Sequence, residues 1–236
     1  MDKVERIEVS QFIVKEFQVS EALKALRTNL MFSGEDVRAV GITSYSASEG
    51  KSTISFQLAA ALAQAGKRVL LLDTDMRKSV LQSRFRIKGR IEGLSHYLSG
   101  MANANDLLIK TDVHGLYVMF AGVRVPNSAE LLGGERFKRL IPALKDVFDY
   151  IIVDAAPIGQ VIDCAVIAPE LDGVAIVVDT TRNSYKLERR IQSQLEKSGG
   201  KILGVILNRV DYNDKHGYYG KAYSYKYGYG DYGHND

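Results

Sequence analysis

Six short runs of almost unbroken apolar residues constrain this chain's fold more than anything else in it. They are VRAVGITS from Val37, KRVLLLD from Lys67, LYVMFAG from Leu116, YIIVD from Tyr150, GVAIVVD from Gly173 and ILGVILN from Ile202. A strand with one wet face alternates polar and apolar residues. These runs do not alternate, so both of their faces must be buried. Before and between them lie segments with helical spacing. EALKALRTNLMF has Ser20 as its expected N-cap, and TISFQLAAALAQAG stops at Gly66. SAELL and ERFKRLIPALKDVF follow, with a break or kink expected at Pro142, and then the amphipathic LERRIQSQLEKSGG. Residues 76–115 read as irregular loops and short helices. Strands alternating with helices predict an α/β fold: a doubly wound, mostly parallel sheet covered on both faces. The 236 residues suffice for one such domain. We place it at residues 1–210, and a tail at 211–236.

In sheets of this kind, ligands bind beyond the carboxyl ends of the strands, and three motifs fall there. Glu49-Gly50-Lys51-Ser52-Thr53 lies between a strand and a helix, where a phosphate loop belongs. Backbone N–H groups at the helix start would hold phosphate oxygens, Lys51 would reach the terminal phosphates, and the Ser52 hydroxyl would bind Mg²⁺. The usual pattern has glycine where this chain has Tyr45. Asp73 and Asp75 end the second run, in LLLDTDMR, and Asp154 ends the fourth, in IIVDAAP. An aspartate after an apolar strand is the Walker B position, where a carboxylate holds Mg²⁺ directly or through water.

Together these motifs resemble the bacterial tyrosine kinases, P-loop proteins of the deviant-Walker superfamily, whose hallmark is a second aspartate motif (Walker A′) beside Walker A and B. Glu21, Lys24 and Arg27 match that family's Glu-x-x-Arg-x-x-Arg oligomerisation motif, with lysine in the middle place. The segment Pro126 to Leu132 resembles its Pro-Asn-Pro-x-Glu-Leu-Leu stretch. Eight of the 13 tyrosines lie in the tail: Tyr212, Tyr218, Tyr219, Tyr223, Tyr225, Tyr227, Tyr229 and Tyr232. The resemblance makes them an autophosphorylation cluster. It implies ATP and Mg²⁺ as cofactors, with Asp75 and Asp154 holding the metal and Asp73 orienting and deprotonating the acceptor tyrosine. It also implies that Asn208 contacts the adenine. The residues alone leave Asp73 and Asp75 interchangeable. The resemblance further implies a ring-like homo-oligomer, a membrane-anchored activator of the polysaccharide co-polymerase type and a cognate tyrosine phosphatase. The process regulated would be capsular or exopolysaccharide synthesis and export. The chain departs from the family at Ala47, where proline is usual, at Ser48, often glycine, and at Ser79, often proline.

Other functions fit less well. Partition and cell-division-site ATPases of the same superfamily carry a lysine where this chain has Ser46. A pure ATP-driven assembly switch has less need of a third carboxylate. The tail has three lysines against four aspartates, so it lacks the positive footprint of a nucleic-acid binder. No apolar run reaches 18 residues, and Cys164 is the only cysteine. Both fit a cytoplasmic protein recruited to the membrane's inner face by its activator. The histidines lack metal-ligand spacing, and Cys164 reads as a packed residue. The run from Lys186 to Arg190 reads as a wet helix face. From Asp211 onward, glycine and tyrosine replace aliphatic residues, which predicts a segment without a packed core.

Overall fold

The computed structural model describes residues 4–182 and 193–210. Its eight strands form one sheet in the order β1-β4-β5-β3-β6-β2-β7-β8. They are β1 (Arg6–Ile7), β2 (Ala39–Ser44), β3 (Val69–Asp73), β4 (Ile109–Thr111), β5 (Leu116–Met119), β6 (Tyr150–Asp154), β7 (Gly173–Asp179) and β8 (Ile202–Asn208). Every pairing is parallel except β4 with β5. The six expected strands all form, the third shortened to four residues. The antiparallel pairing joins β4 to β5, and β1 lies parallel to β4 at the sheet's edge; β1 and β4 are only two and three residues long.

Successive side chains of a strand point to opposite faces, and the core divides accordingly. Leu70, Leu72, Ile151 and Val153 join Phe137, Leu140 and Ile141 in one buried cluster. Val69, Leu71, Ile152, Val40 and Ile42 join Phe56, Leu58 and Leu62 in the other. These partners come from α6 (Glu135–Lys145) on one face and α2 (Lys51–Gln64) on the other. Both faces are covered, as continuous apolar strands require. Among the described residues the other helices include α1 (Phe17–Met31), α3 (Leu81–Arg84), α4 (Leu94–Leu98), α5 (Ser128–Leu132) and α7 (Asp163–Ile167).

Two expectations fail on local grounds. Ser20 is no cap, because α1 starts a turn earlier with Glu16 at its N-cap. Helix α6 continues through Pro142 instead of breaking there. Pro142 and Lys138, whose carbonyl loses its usual partner, both face water, so the missing bond is not left in a dry interior. Of the helix expected at LERRIQSQLEKSGG, residues 193–197 are helical and the turn closes at Ser198 and Gly199, while residues 187–192 lie outside the described residues.

One carboxylate anchors the bottom of the sheet. Asp172 accepts hydrogen bonds from the backbone N–H of Arg38 at 2.9 Å and of Ala39 at 2.7 Å, and from Lys145 Nζ at 2.6 Å. It thereby ties the start of β2 to the end of α6. Burial opposes its ionisation, but Lys145 and the two amides outweigh that and hold its carboxyl below the ordinary range. We expect Asp172→Ala to destabilise the protein by about 1–3 kcal/mol near neutral pH, since three donors lose their acceptor. A carboxyl with a depressed folded pKa stabilises above its unfolded value and loses that effect on acidification. Thermal unfolding should therefore show the deficit at pH 7 and its disappearance below the ordinary value of 3.8. A deficit independent of pH would refute this anchor.

Candidate functional site

The phosphate loop is the turn between Ser44 and Lys51, where β2 hands over to α2. Its shape is held from within. Glu49 Oε2 accepts from the backbone N–H of Tyr45 at 3.0 Å and of Ser46 at 3.2 Å. Desolvation raises the Glu49 carboxyl above its ordinary value, and those amides oppose the shift. Gly50 sits at φ 97°, and a Cβ there would lie 2.1 Å from Asn208 Nδ2, so only glycine fits. Ser48 adopts φ 67°, which explains why glycine suits that position; a serine there costs about 1 kcal/mol. Asn208 Nδ2 donates to Glu49 O at 2.9 Å. The asparagine expected to contact adenine thus braces the loop in this structure.

Three carboxylates and one ammonium meet at the strand ends. Asp73 and Asp154 are register partners across β3 and β6, and Asp75 follows two residues later. All three are buried, Asp73 completely. Lys51, at the start of α2, is buried with them: Nζ lies 3.3 Å from Asp75 Oδ2, 3.4 Å from Asp154 Oδ1 and 3.3 Å from Ser52 Oγ. Burial disfavours its charge, but Asp154, Asp75 and Asp73 outweigh burial and hold the ammonium more firmly protonated than usual. Burial also raises Asp154, against the pull of Lys51. Asp73 is driven up to about 8, first by desolvation and then by Asp154, although the Ser79 hydroxyl hydrogen-bonds its Oδ2.

This donor set fits a divalent cation. Ser52, Asp75 and Asp154 already surround one positive charge, the Lys51 ammonium. With Asp73 retaining its proton, the carboxylates of Asp75 and Asp154 still outnumber the one ammonium, so the cluster is short of positive charge. Beside it opens a cavity of about 340 Å³ lined by Gly50, Lys51, Ser52, Thr53, Asp75 and Arg209, among others. Arg84 reaches it too, donating to Thr53 Oγ1 at 2.6 Å. Asp75 faces this cavity, whereas Asp73 lies behind it.

Asp163 gave no signal in the sequence, yet it links two of the motifs. Its buried carboxylate takes Arg77 Nε at 3.0 Å and Arg77 NH1's neighbour, NH2, at 3.1 Å, and accepts from the Ser128 hydroxyl. Arg77 NH1 also donates to Pro126 O at 3.3 Å. The stretch from Pro126 to Leu132 is therefore clamped to the segment carrying Asp73 and Asp75. Elsewhere, Lys24 pairs with Glu21 on its own helix at 2.6 Å, and Arg27 donates to Ala61 O at 3.2 Å. Cys164 is buried, and burial pushes its thiol up to about 12, as suits a packed residue. The eight tail tyrosines and the run from Lys186 to Arg190 lie outside the described residues. Among the described residues, no helix is long and apolar enough to cross a membrane.

Known proteins resemble this chain in sequence and in fold. The family described as an AAA domain matches residues 38–198. The chain is 43% identical over 209 residues to the tyrosine-protein kinase CpsD of Streptococcus agalactiae, covering 86% of this chain and 91% of that one. It is 38% identical to CpsD of Streptococcus pneumoniae, with 89% and 92% covered. Among solved structures, the chimerical protein CapA2B2 superposes with a TM-score of 0.79 at 31% identity, covering 89% of this chain and 95% of that one.

The raised Asp73 pKa has a consequence for stability. The folded protein keeps this proton up to about pH 8, while the unfolded chain releases it near 3.8. Between those values the native state binds more protons, so stability falls as pH rises. Asp73→Asn keeps an acceptor for the Asp75 amide and removes the ionisable group. In the absence of nucleotide, its melting temperature should gain on the wild type as pH rises from 4 to 8. A constant difference over that range would contradict the buried, proton-retaining Asp73.

Proposed function

The chain belongs to the bacterial tyrosine-protein kinases, and from that membership we propose that it transfers the γ-phosphoryl group of ATP to tyrosines of its own C-terminal cluster. The observation that carries this reading is the Lys51 ammonium held between Asp75 and Asp154, with Asp73 directly behind. Glu49, Gly50, Lys51, Ser52 and Thr53 form the ATP site, and Asn208 holds the loop around it. Ser52, Asp75 and Asp154 would hold magnesium, which supplies divalent charge to neutralise the phosphate oxygens. Lys51 then turns from the carboxylates to the transferring phosphate.

Asp73 is the base in this reading. A tyrosine hydroxyl has a pKa of about 10, so it gains from a positioned acceptor for its proton. A carboxylate whose pKa lies near 8 is better matched to that proton than an ordinary one. Positive charge added beside Asp154 favours its ionised form. The tyrosine oxygen bonds to the γ-phosphorus as the bond to the ADP oxygen breaks, and the phenolic proton passes to Asp73. The Ser79 hydroxyl must first yield its place on Asp73.

Assembly and regulation follow from the same family. Glu21, Lys24 and Arg27 contribute to a ring of subunits, exchanging the bonds they make within this chain for a neighbour's groups. A membrane-anchored co-polymerase subunit recruits and activates the kinase at the inner face of the plasma membrane, and a cognate phosphatase resets the tail. The output is control of capsular or exopolysaccharide synthesis and export. A domain of 210 residues has a radius of gyration of roughly 17 Å. A glycine-rich segment the length of residues 212–236 spans roughly 25–30 Å, enough to reach a neighbour's site. Eight phosphotyrosines would add roughly −12 to −16 charges to a chain of net charge +3, so full phosphorylation drives the ring apart.

The test mixes a Lys51→Met chain with an active chain lacking residues 212–236, and follows phosphotyrosine and particle mass. We expect phosphate on the inactive chain and a fall in mass as it accumulates. No phosphate on the inactive chain would exclude transfer between subunits. An unchanged mass after full phosphorylation would exclude release.

A further inference from the structure

At the end of the sheet away from Lys51, β3 and β5 begin and β4 ends around an open cleft of about 600 Å³. Lys67 and Arg68 enter it just before β3, His114 and Gly115 just before β5, Lys110 from β4 and Arg6 from β1. Four of these are permanent cations. Among the described residues, Arg6, Lys67, Arg68 and Lys110 have no side-chain ion pair. Arg68 instead lays its guanidinium 5.4 Å from the ring centres of Tyr117 and Phe148. The one acid in the lining, Asp112, is already engaged by the backbone N–H of Val9 at 2.6 Å and of Ser10 at 3.1 Å, and by the Ser10 hydroxyl.

A second observation is independent of the cleft's shape. Arg6 and Lys110 are direct register partners across β1 and β4. Like charges placed opposite each other on neighbouring strands repel and destabilise the pair. Edge strands do carry lysine to discourage strand addition, but a guard charge needs only to face open solvent. Here the paired cations line a concavity shared with two more. Gly115, at φ 81°, lets the start of β5 lie against Lys67 O, where a Cβ would come within 2.7 Å. That close approach draws Lys67 and the β5 side of the cleft together.

We propose that this cleft is a second anion site, which takes a small ligand carrying at least two phosphate groups. Such a ligand supplies the negative charge that Arg6, Lys110, Lys67 and Arg68 lack, and its volume suits a pocket of this size. Charge-assisted bonds from guanidinium and ammonium groups to phosphate are the strong class of hydrogen bond. The site lies apart from the phosphate loop, so occupancy of one does not block the other.

The probe is pyrophosphate, titrated calorimetrically into the full chain already saturated with ADP and excess Mg²⁺, which keeps the phosphate loop filled. The wild type should bind one pyrophosphate per chain. Arg6→Ala/Lys110→Ala should bind it about tenfold or more weakly, while phosphorylating tyrosine at the wild-type rate. The double variant should also melt no lower than the wild type when pyrophosphate is absent, because a repulsion has been removed. Vesicles of phosphatidylglycerol form the second arm. Sedimentation with vesicles through these residues, without pyrophosphate binding, would replace the small-ligand proposal with a membrane contact. Equal pyrophosphate binding by both proteins, or none by either, would overturn it. Self-association of the double variant without any loss of binding would assign the charges to edge protection instead.

Discussion

The arrangement of the upper end of this molecule depends on one ammonium group among three buried carboxylates. Lys51 reaches Asp75 and Asp154 at 3.3 and 3.4 Å, and Asp73 stands in register with Asp154 behind them. Buried charge is tolerated only where it is paired and hydrogen-bonded. Breaking such a pair by removing one partner is more damaging than never having built it. Each member therefore needs a rigid origin. Asp73 and Asp154 end neighbouring strands in the middle of the sheet, and Lys51 opens the helix that covers them. The continuous apolar strands and the covered faces are what hold these charged ends in one place. A cluster still short of positive charge is suited to a divalent ion arriving with a polyphosphate.

The loop above the cluster shows how local chemistry adapts to a non-standard sequence. Glu49 ties its own loop to Tyr45 and Ser46, and Asn208 reaches across from β8 to hold the Glu49 carbonyl. Ser48 accepts a left-handed backbone without being glycine. Arg209 spans the same gap, donating to Ser48 O at 3.3 Å. A loop lacking the usual proline at Ala47 and the usual glycine at Tyr45 is thus braced by side chains from its own turn and from β8.

Much of this was legible beforehand. The six long strands were readable because each is apolar throughout, a pattern that survives without knowledge of neighbours. The strand-end rule then placed Asp73, Asp75 and Asp154 around the phosphate loop, where they lie. What escaped is what depends on tertiary contact. Strands β1 and β4 are only two and three residues long, and no periodicity shows in Arg6–Ile7 or Ile109–Thr111. Pro142 reads as a break, but an exposed proline on a helix held by Phe137, Leu140 and Ile141 does not stop it. The hydrogen bond from Asn208 to the Glu49 carbonyl joins residues 159 positions apart, so it too could not be read from the sequence. Asp163 was invisible, since its importance lies in Arg77 and Ser128, 86 and 35 residues away.

The central claim is that Lys51 holds the place that a metal takes when nucleotide binds. A crystal structure with Mg²⁺ and ADP tests it most directly. The account predicts a metal bound by the Ser52 hydroxyl at about 2.0–2.1 Å, with Asp75 and Asp154 beside it directly or through water, and Lys51 Nζ moved onto a phosphate oxygen. A nucleotide bound with Lys51 still paired to both carboxylates, and no metal among them, would contradict it.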